Sequence, residues 1–65
     1  MTLHIDLHEI VNGAGKQTNF STMLFKLIFK ADQHNREQLR KGFPNAVRMV
    51  ETYKDTGEIL DLEYD

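Results

Sequence analysis

The chain has 65 residues, of which 40% are hydrophobic and 28% are charged, with a formal net charge of −2. A domain of this size buries only ~60% of the surface that its unfolded chain exposes, so the length predicts one domain, residues 1–65, with a single core. The absence of Cys excludes disulfides and thiolate zinc sites. We expect a cytoplasmic protein without a membrane contact, because there is neither a secretory leader nor an apolar run long enough to cross a bilayer. The small size also favours a homodimer as a source of stability.

The charges are unevenly distributed along the chain. All eight Lys and Arg residues lie between Lys16 and Lys54, a stretch that holds three acidic residues and therefore carries +5. The last eleven residues hold five acidic residues and no basic one. A basic middle beside an acidic tail is found in some nucleic-acid-binding proteins. The spacing of the charges is, however, that of ordinary solvated helix surfaces, which is the interpretation we favour.

The N-terminal segment, residues 3–11, fits two patterns. Alternating apolar residues at Leu3, Ile5 and Leu7 indicate a half-buried strand. A helical spacing of i, i+4, i+7 and i+8 is formed by Leu3, Leu7, Ile10 and Val11. Nine residues do not decide between the two, although the residue types favour a helix slightly.

The strongest pattern in the chain predicts a helix over residues 20–31. Its apolar face, with spacing i, i+3, i+4, i+7, i+8 and i+11, consists of Phe20, Met23, Leu24, Leu27, Ile28 and Ala31. Asn19 or Ser21 is suited to cap its start. Phe25 and Phe29 widen the apolar surface beyond one stripe, so this helix is either the central helix of the domain or has a second partner.

Two further helices are predicted at residues 33–41 and 44–54. Asp32 is suited to cap the first of them, and Pro44 is suited to the first position of the second. The tail after residue 58 alternates in part between apolar and acidic residues, as in a short strand. We therefore predict a mainly α fold, a small three- to four-helix domain with the option of a short C-terminal strand. The alternative is an α+β fold in which N- and C-terminal strands pair.

Candidate metal ligands are few. His4 and His8 are four residues apart, which places both on one face, with Glu9 beside them. Zinc needs at least one or two more ligands, and His34 lies in a different predicted element. Two solvent-facing histidines and no metal site are the better interpretation.

Two segments resemble fragments of enzyme motifs. Asp55-Thr56-Gly57 matches the tripeptide of aspartic proteases, but it also reads as a helix end followed by a turn. Gly13-Ala14-Gly15-Lys16 lacks the second correctly spaced glycine and the Ser or Thr of a phosphate loop. We therefore predict no enzyme activity, no catalytic residue and no cofactor.

Aromatic residues indicate a binding surface instead. A 65-residue core has little room for four Phe residues, and any that lie outside it would form an interaction patch. We select Phe25, Phe29 and Phe43 as candidate protein-binding residues. The runner-up hypothesis is a nucleic-acid-binding protein that resembles a helix-turn-helix. Its phosphate-binding residues would be Arg36, Arg40, Lys41 and Arg48. A sequence pI near 5.8 argues against it.

A longer pattern covers residues 24–53, about half of the chain. An apolar helix ends in Lys30-Ala31-Asp32, and Asn35, a spaced Leu39, Gly42-Phe43-Pro44 and an amphipathic helix with Tyr53 follow. This arrangement resembles a set of short proteins encoded by phages and prophages of Gram-positive bacteria. The resemblance implies an origin in the bacterial cytosol and no particular activity. We expect a small phage-type accessory protein that binds a host or phage protein.

Overall fold

A computed structural model of the protein describes residues 3–13 and 19–65. It contains helices α1 (Leu3–Asn12), α2 (Phe20–Lys30), α3 (Gln33–Gly42) and α4 (Pro44–Thr56), followed by an irregular tail, residues 57–65. The prediction of a mainly α domain with three to four helices is confirmed. No strand occurs in the described ranges, so the C-terminal strand and the α+β alternative are wrong. The Gly15-Lys16 pair that resembles part of a phosphate loop lies outside these ranges.

The N-terminal segment is a helix, and its buried side chains follow the helical spacing of its apolar residues and not their alternation. Leu3 and Leu7 are buried, and Ile10 and Val11 pack against the core from the same side. Ile5, which a strand would have buried with Leu3 and Leu7, is 53% exposed. α1 ends at Asn12.

The other helices begin where their capping residues predict, and they end within two residues of the predicted positions. The Asn19 side chain accepts a hydrogen bond from Thr22 N at 2.9 Å and caps α2, and the Asp32 side chain accepts one from Asn35 N at 2.8 Å and caps α3. Pro44 occupies the first turn of α4. Gly57 ends that helix with a φ of +79°, a left-handed conformation that glycine adopts without a Cβ clash.

The core lies where α1, α2 and α4 meet, with α3 packed against α4. α2 contacts both α1 and α4, so it is the central helix of the domain. The buried apolar residues are Leu3, Leu7, Leu24, Phe25, Ile28, Ala46, Val47, Met49 and Val50. The buried residues of α4 cover a wide part of its surface, because neighbouring helices pack on it from two sides.

α2 turns a different side towards the core than its sequence pattern predicted. Phe25 is fully buried, as are Ile28 and Thr22. Phe20 is 69% exposed, although it belongs to the predicted inner face. The apolar surface of α2 extends around most of the helix, so periodicity shows that one side is buried without showing which side.

The tail crosses the ends of α1 and α4 without forming a strand. Leu60 and Leu62 pack against the core as the predicted alternation indicates, and Ile59, outside that alternation, does so as well. Leu62 O accepts a hydrogen bond from Leu3 N at 3.0 Å. Leu3 N belongs to the first turn of α1, where backbone N–H groups have no partner inside the helix. Because α1 is a helix, it offers no strand edge for further pairing.

A buried carboxylate joins the tail to α1 and α2. Asp6 is 4% exposed, and its Oδ2 accepts a hydrogen bond from the Tyr64 hydroxyl at 2.8 Å, while its Oδ1 lies 3.4 Å from Asn19 Nδ2. The hydrogen bond to Asp6, with smaller effects of burial and of the Asp6 charge, raises the pKa of Tyr64, against an opposing hydrogen bond with Ser21. This cluster fixes the tail beside the start of α2.

Asp65 supplies the cap that α4 lacks within its own sequence. Phe43, the residue before the helix, makes no side-chain cap. The Asp65 carboxylate instead accepts hydrogen bonds from Asn45 N at 2.6 Å and Ala46 N at 3.1 Å. Its negative charge also lies at the positive end of the helix dipole. The tail therefore stabilises α4 from a distance of twenty positions in the chain.

The orientation of α2 is tested by comparing Phe25→Ala with Phe20→Ala. Phe25→Ala opens a cavity in the core and is expected to lower the free energy of unfolding by about 3–5 kcal/mol, measured by urea denaturation. Phe20→Ala, which removes an exposed ring, is expected to cost about 1 kcal/mol or less. Equal losses for the two variants, or a larger loss for Phe20→Ala, would contradict this orientation.

The capping role of Asp65 is tested with Asp65→Ala. Removal of the carboxylate leaves two N–H groups of α4 without their acceptor, and it is expected to cost about 1 kcal/mol of unfolding free energy. Asp61→Ala is the matched control, because Asp61 is an exposed aspartate of the same tail. Asp65→Ala should also reduce the helical circular dichroism signal, while Asp61→Ala leaves it unchanged. Indistinguishable stabilities of the two variants would show that the cap contributes nothing.

Candidate functional site

Helix α2 carries a stripe of large apolar side chains that the other described elements leave exposed. Phe20 is 69% exposed, Met23 is 49% exposed and Leu27 is 53% exposed. The three positions are three and four residues apart, which places them along one line of the helix surface. Leu24 and Ile28 on the neighbouring side are buried, so the stripe runs along the margin of the core.

The stripe forms one wall of a groove between α2 and α3. The other wall is provided by Leu39 of α3 and by Phe43, which follows α3, and the rings of Phe20 and Phe43 lie 5.8 Å apart. This part of the groove has a volume of about 370 Å³. We call it the α2/α3 groove, and its lining residues are Phe20, Met23, Leu24, Leu27, Leu39 and Phe43.

The groove continues towards the junction of the two helices. A second depression of about 410 Å³ shares Leu27 and Leu39 with the first. Its remaining lining residues are Lys30, Ala31, Asn35 and Gln38. Lys30 is the one charged side chain among the residues that line the two depressions. The groove is therefore lined mainly by apolar side chains, and its polar residues and its one positive charge lie at the end near the α2–α3 junction.

The sequence of α3 explains why the groove is open. Leu39 is its one large apolar residue, and the rest of the helix is polar. Two residues, Ala31 and Asp32, separate α3 from α2, and α3 packs mainly against α4. A helix with so little apolar surface can meet α2 at Leu39 but cannot cover the whole stripe.

The three aromatic residues selected from the sequence lie in different environments. Phe25 lies in the core with no exposed surface, so its assignment to an exposed binding surface is wrong, because the helix turns this side towards α1 and α4. Phe29 is half-buried and its ring meets Tyr53 edge to face, with centroids 6.2 Å apart. Phe43 lines the α2/α3 groove. The prediction that some apolar side chains remain outside the core is confirmed by Phe20, which the sequence pattern had assigned to the core.

Two of the four residues selected for nucleic-acid binding are engaged within the protein. Arg40 binds two carboxylates. Its Nη2 lies 2.8 Å from Oε2 of Glu37, and its Nη1 lies 2.8 Å from Oε1 of Glu51. Arg36 Nε lies 3.1 Å from Glu51 Oε2, although it is not aligned for a hydrogen bond. Contact with a phosphate would require these ion pairs to open. Lys41 is exposed on α3.

The ion pairs change the titration of the groups involved. The hydrogen bond from Arg40 is the main cause that lowers the pKa of Glu51, and it also lowers that of Glu37. The two carboxylates in turn raise the pKa of Arg40. Glu51 belongs to α4 and Arg40 to α3, so this cluster ties the two helices together on their polar side. Arg48, the last of the four candidates, is exposed on α4.

The residues considered for metal binding and catalysis do not assemble a site. The imidazoles of His4 and His8 lie on one face of α1 with centroids 6.4 Å apart, beside Glu9. Within residues 3–13 and 19–65, no three His, Asp or Glu side chains are grouped to hold a metal ion. Asp55 is exposed in the last turn of α4, and Gly57 ends that helix, as the turn interpretation of Asp-Thr-Gly predicts.

Comparisons with known proteins give no assignment: no protein-family model, curated protein or solved structure matches the chain. In the part of the chain that the structure describes, none of the helices has the length and hydrophobicity needed to cross a membrane. The chemistry of the described surface therefore carries the functional argument, and its most distinctive feature is the α2/α3 groove.

The contribution of the ion pairs is tested by the acid sensitivity of Glu51→Gln. A carboxylate whose pKa is lowered in the folded state adds stability above its unfolded pKa and loses it as the pH falls through the folded value. Glu51→Gln is therefore expected to cost about 0.5–1 kcal/mol of unfolding free energy at pH 7. This difference from the wild-type protein should shrink between pH 5 and pH 3, measured by urea denaturation.

The control for that measurement is Glu58→Gln, which changes an exposed glutamate at the start of the tail. It is expected to leave the stability within a few tenths of a kcal/mol at both pH values. A loss for Glu51→Gln that is the same at pH 3 and pH 7 would mean that the ion pairs are not its cause.

Proposed function

We propose that this protein is a binding module for another protein and that the α2/α3 groove is its docking surface. The observation that carries the proposal is the stripe of Phe20, Met23 and Leu27, three large apolar side chains that are about half exposed or more. Exposed apolar patches rimmed by polar residues mark interaction sites in soluble proteins. Aromatic residues at the centre of such patches contribute most of the binding free energy at many interfaces.

The shape of the surface supports the same proposal. The apolar surface is concave rather than flat, because Leu39 and Phe43 form a second wall opposite the stripe. A concave apolar surface lets a partner side chain lose contact with water on several sides, at roughly 25 cal/mol for each Å² of apolar area that is buried. Binding rather than catalysis is proposed, because the polar side chains at the groove, Asn35, Gln38 and Lys30, do not form an acid–base pair.

The biological setting of the proposal comes from the resemblance of residues 24–53 to short phage and prophage proteins. On that basis the partner is a host or phage protein, and the module acts in the cytoplasm of a bacterial cell. The ion pairs of Arg36 and Arg40 with Glu37 and Glu51 argue against nucleic acid as the main partner, since they occupy half of the candidate phosphate-binding residues.

The proposal is tested by affinity capture with Leu27→Asp and its control, Ile5→Asp. Leu27 and Ile5 are both 53% exposed, but Leu27 lies in the groove and Ile5 lies on α1. The tagged variants and the wild-type protein are incubated with bacterial lysate, with and without nuclease treatment, and bound proteins are identified by mass spectrometry. We expect a discrete partner with the wild-type protein and with Ile5→Asp, and its loss by tenfold or more with Leu27→Asp.

Circular dichroism must show that both variants are folded. A partner that is retained by Leu27→Asp would contradict the assignment of the groove as the docking surface. Material that disappears on nuclease treatment, and that charge reversal at Lys41 and Arg48 abolishes, would contradict protein binding and favour nucleic acid.

A further inference from the structure

We infer that the occupant of the α2/α3 groove is an amphipathic α-helix of about three turns that carries acidic residues beside its apolar face. This inference rests on the proposed function and names the chemistry of the partner. It follows from three features of the groove: its walls, its length and its charge.

The walls favour a helix over an extended peptide. Both walls belong to helices whose backbone groups are bonded within the helix, and the described residues contain no strand edge to which an extended segment could add. A cleft between two helices is filled well by a third helix, whose side-chain ridges fit between those of its neighbours. Partner residues spaced i, i+4 and i+7 would then meet the stripe of Phe20, Met23 and Leu27.

The length of the groove sets the length of the occupant. α2 has 11 residues, so its axis is ~16 Å long. A partner helix that follows the groove from Phe20 to Lys30 therefore needs about three turns. Such a segment presents three or four apolar side chains, which matches the number of exposed apolar residues along the groove.

The charge of the groove favours an acidic partner. Lys30 lines its end near the α2–α3 junction, and α2 contains no acidic residue. Lys41 lies three residues after Gln38, a groove residue, and so on the neighbouring turn of the same side of α3. The nearest acidic side chain of α3, Glu37, is paired with Arg40. An Asp or Glu of the partner would gain an ion pair at the rim, and a Lys or Arg would be repelled.

The same charges disfavour a second copy of this chain as the occupant. In a two-fold dimer the same groove of each copy would face the other, so Lys30 would approach Lys30, while the nearby Asp32 carboxylate already accepts the hydrogen bond from Asn35 N. The tail of the same chain does not supply one, because Leu62 and Asp65 hold it against α1 and α4. A separate acidic helix is therefore the better complement.

The inference is tested by selecting random 16-residue peptides displayed on phage against the wild-type protein and against Lys30→Glu. Peptides that bind the wild-type protein should carry apolar residues at i, i+3 or i+4 and i+7, and more Asp and Glu than Lys and Arg. The strongest of them is then synthesised. The affinity of this peptide is expected to fall about tenfold with Lys30→Glu and to be unchanged with Lys30→Arg. Its binding should be lost with Leu27→Asp. The circular dichroism spectrum of the peptide should become helical on binding to the wild-type protein.

Three results would overturn the inference. The first is the selection of peptides that are extended, uncharged or basic. The second is a selection in which no peptide is enriched over a blank surface. The third is a wild-type protein that sediments as a dimer and that Leu27→Asp converts to a monomer. Affinity capture separates this failure from that of the proposed function. If a natural partner is captured and its capture depends on Leu27, the assignment of the docking surface stands even when the selected peptides are not acidic helices. If no partner is captured, both the docking surface and its proposed occupant are contradicted.

Discussion

Helix α2 carries apolar side chains around most of its circumference, and a chain of 65 residues has too little other surface to cover all of them. α1 and α4 cover the side with Phe25 and Ile28, which forms the centre of the core. α3 is polar apart from Leu39 and packs on α4, so the adjacent side of α2 stays open. The core and the groove are thus two consequences of one constraint.

The tail has a structural role that its composition conceals. Its acidic residues suggest a solvated segment, yet Asp65 caps α4 and the Tyr64 hydroxyl binds the buried Asp6 carboxylate. These contacts join residues that are far apart in sequence, and they hold α1, the start of α2 and the start of α4 in one arrangement. Because the groove is formed by α2 and α3, the tail supports it only through the core and leaves it open to a partner.

Local signals in the sequence predicted local structure well. Asn19, Asp32 and Pro44 determine helix ends through contacts within a few residues, so their positions are readable from the chain. The rotation of α2 was not readable, because its burial depends on where α1 and α4 dock and several faces are equally apolar. Phe25 is therefore buried and Phe20 is exposed, which is the reverse of the prediction. The ion pairs of Arg40 were also hidden, because Glu51 lies on the next helix.

The central claim is that α2 has a buried side and an open apolar side in the free protein, and methyl NMR with a soluble paramagnetic gadolinium chelate tests it most directly. The methyl groups of Met23 and Leu27 should relax strongly on addition of the chelate, while those of Leu24 and Ile28, on the same helix, should relax weakly. Equal protection of all four residues in a monomer would mean that the groove is closed. Stronger relaxation of Leu24 and Ile28 than of Met23 and Leu27 would mean that α2 is rotated relative to this account.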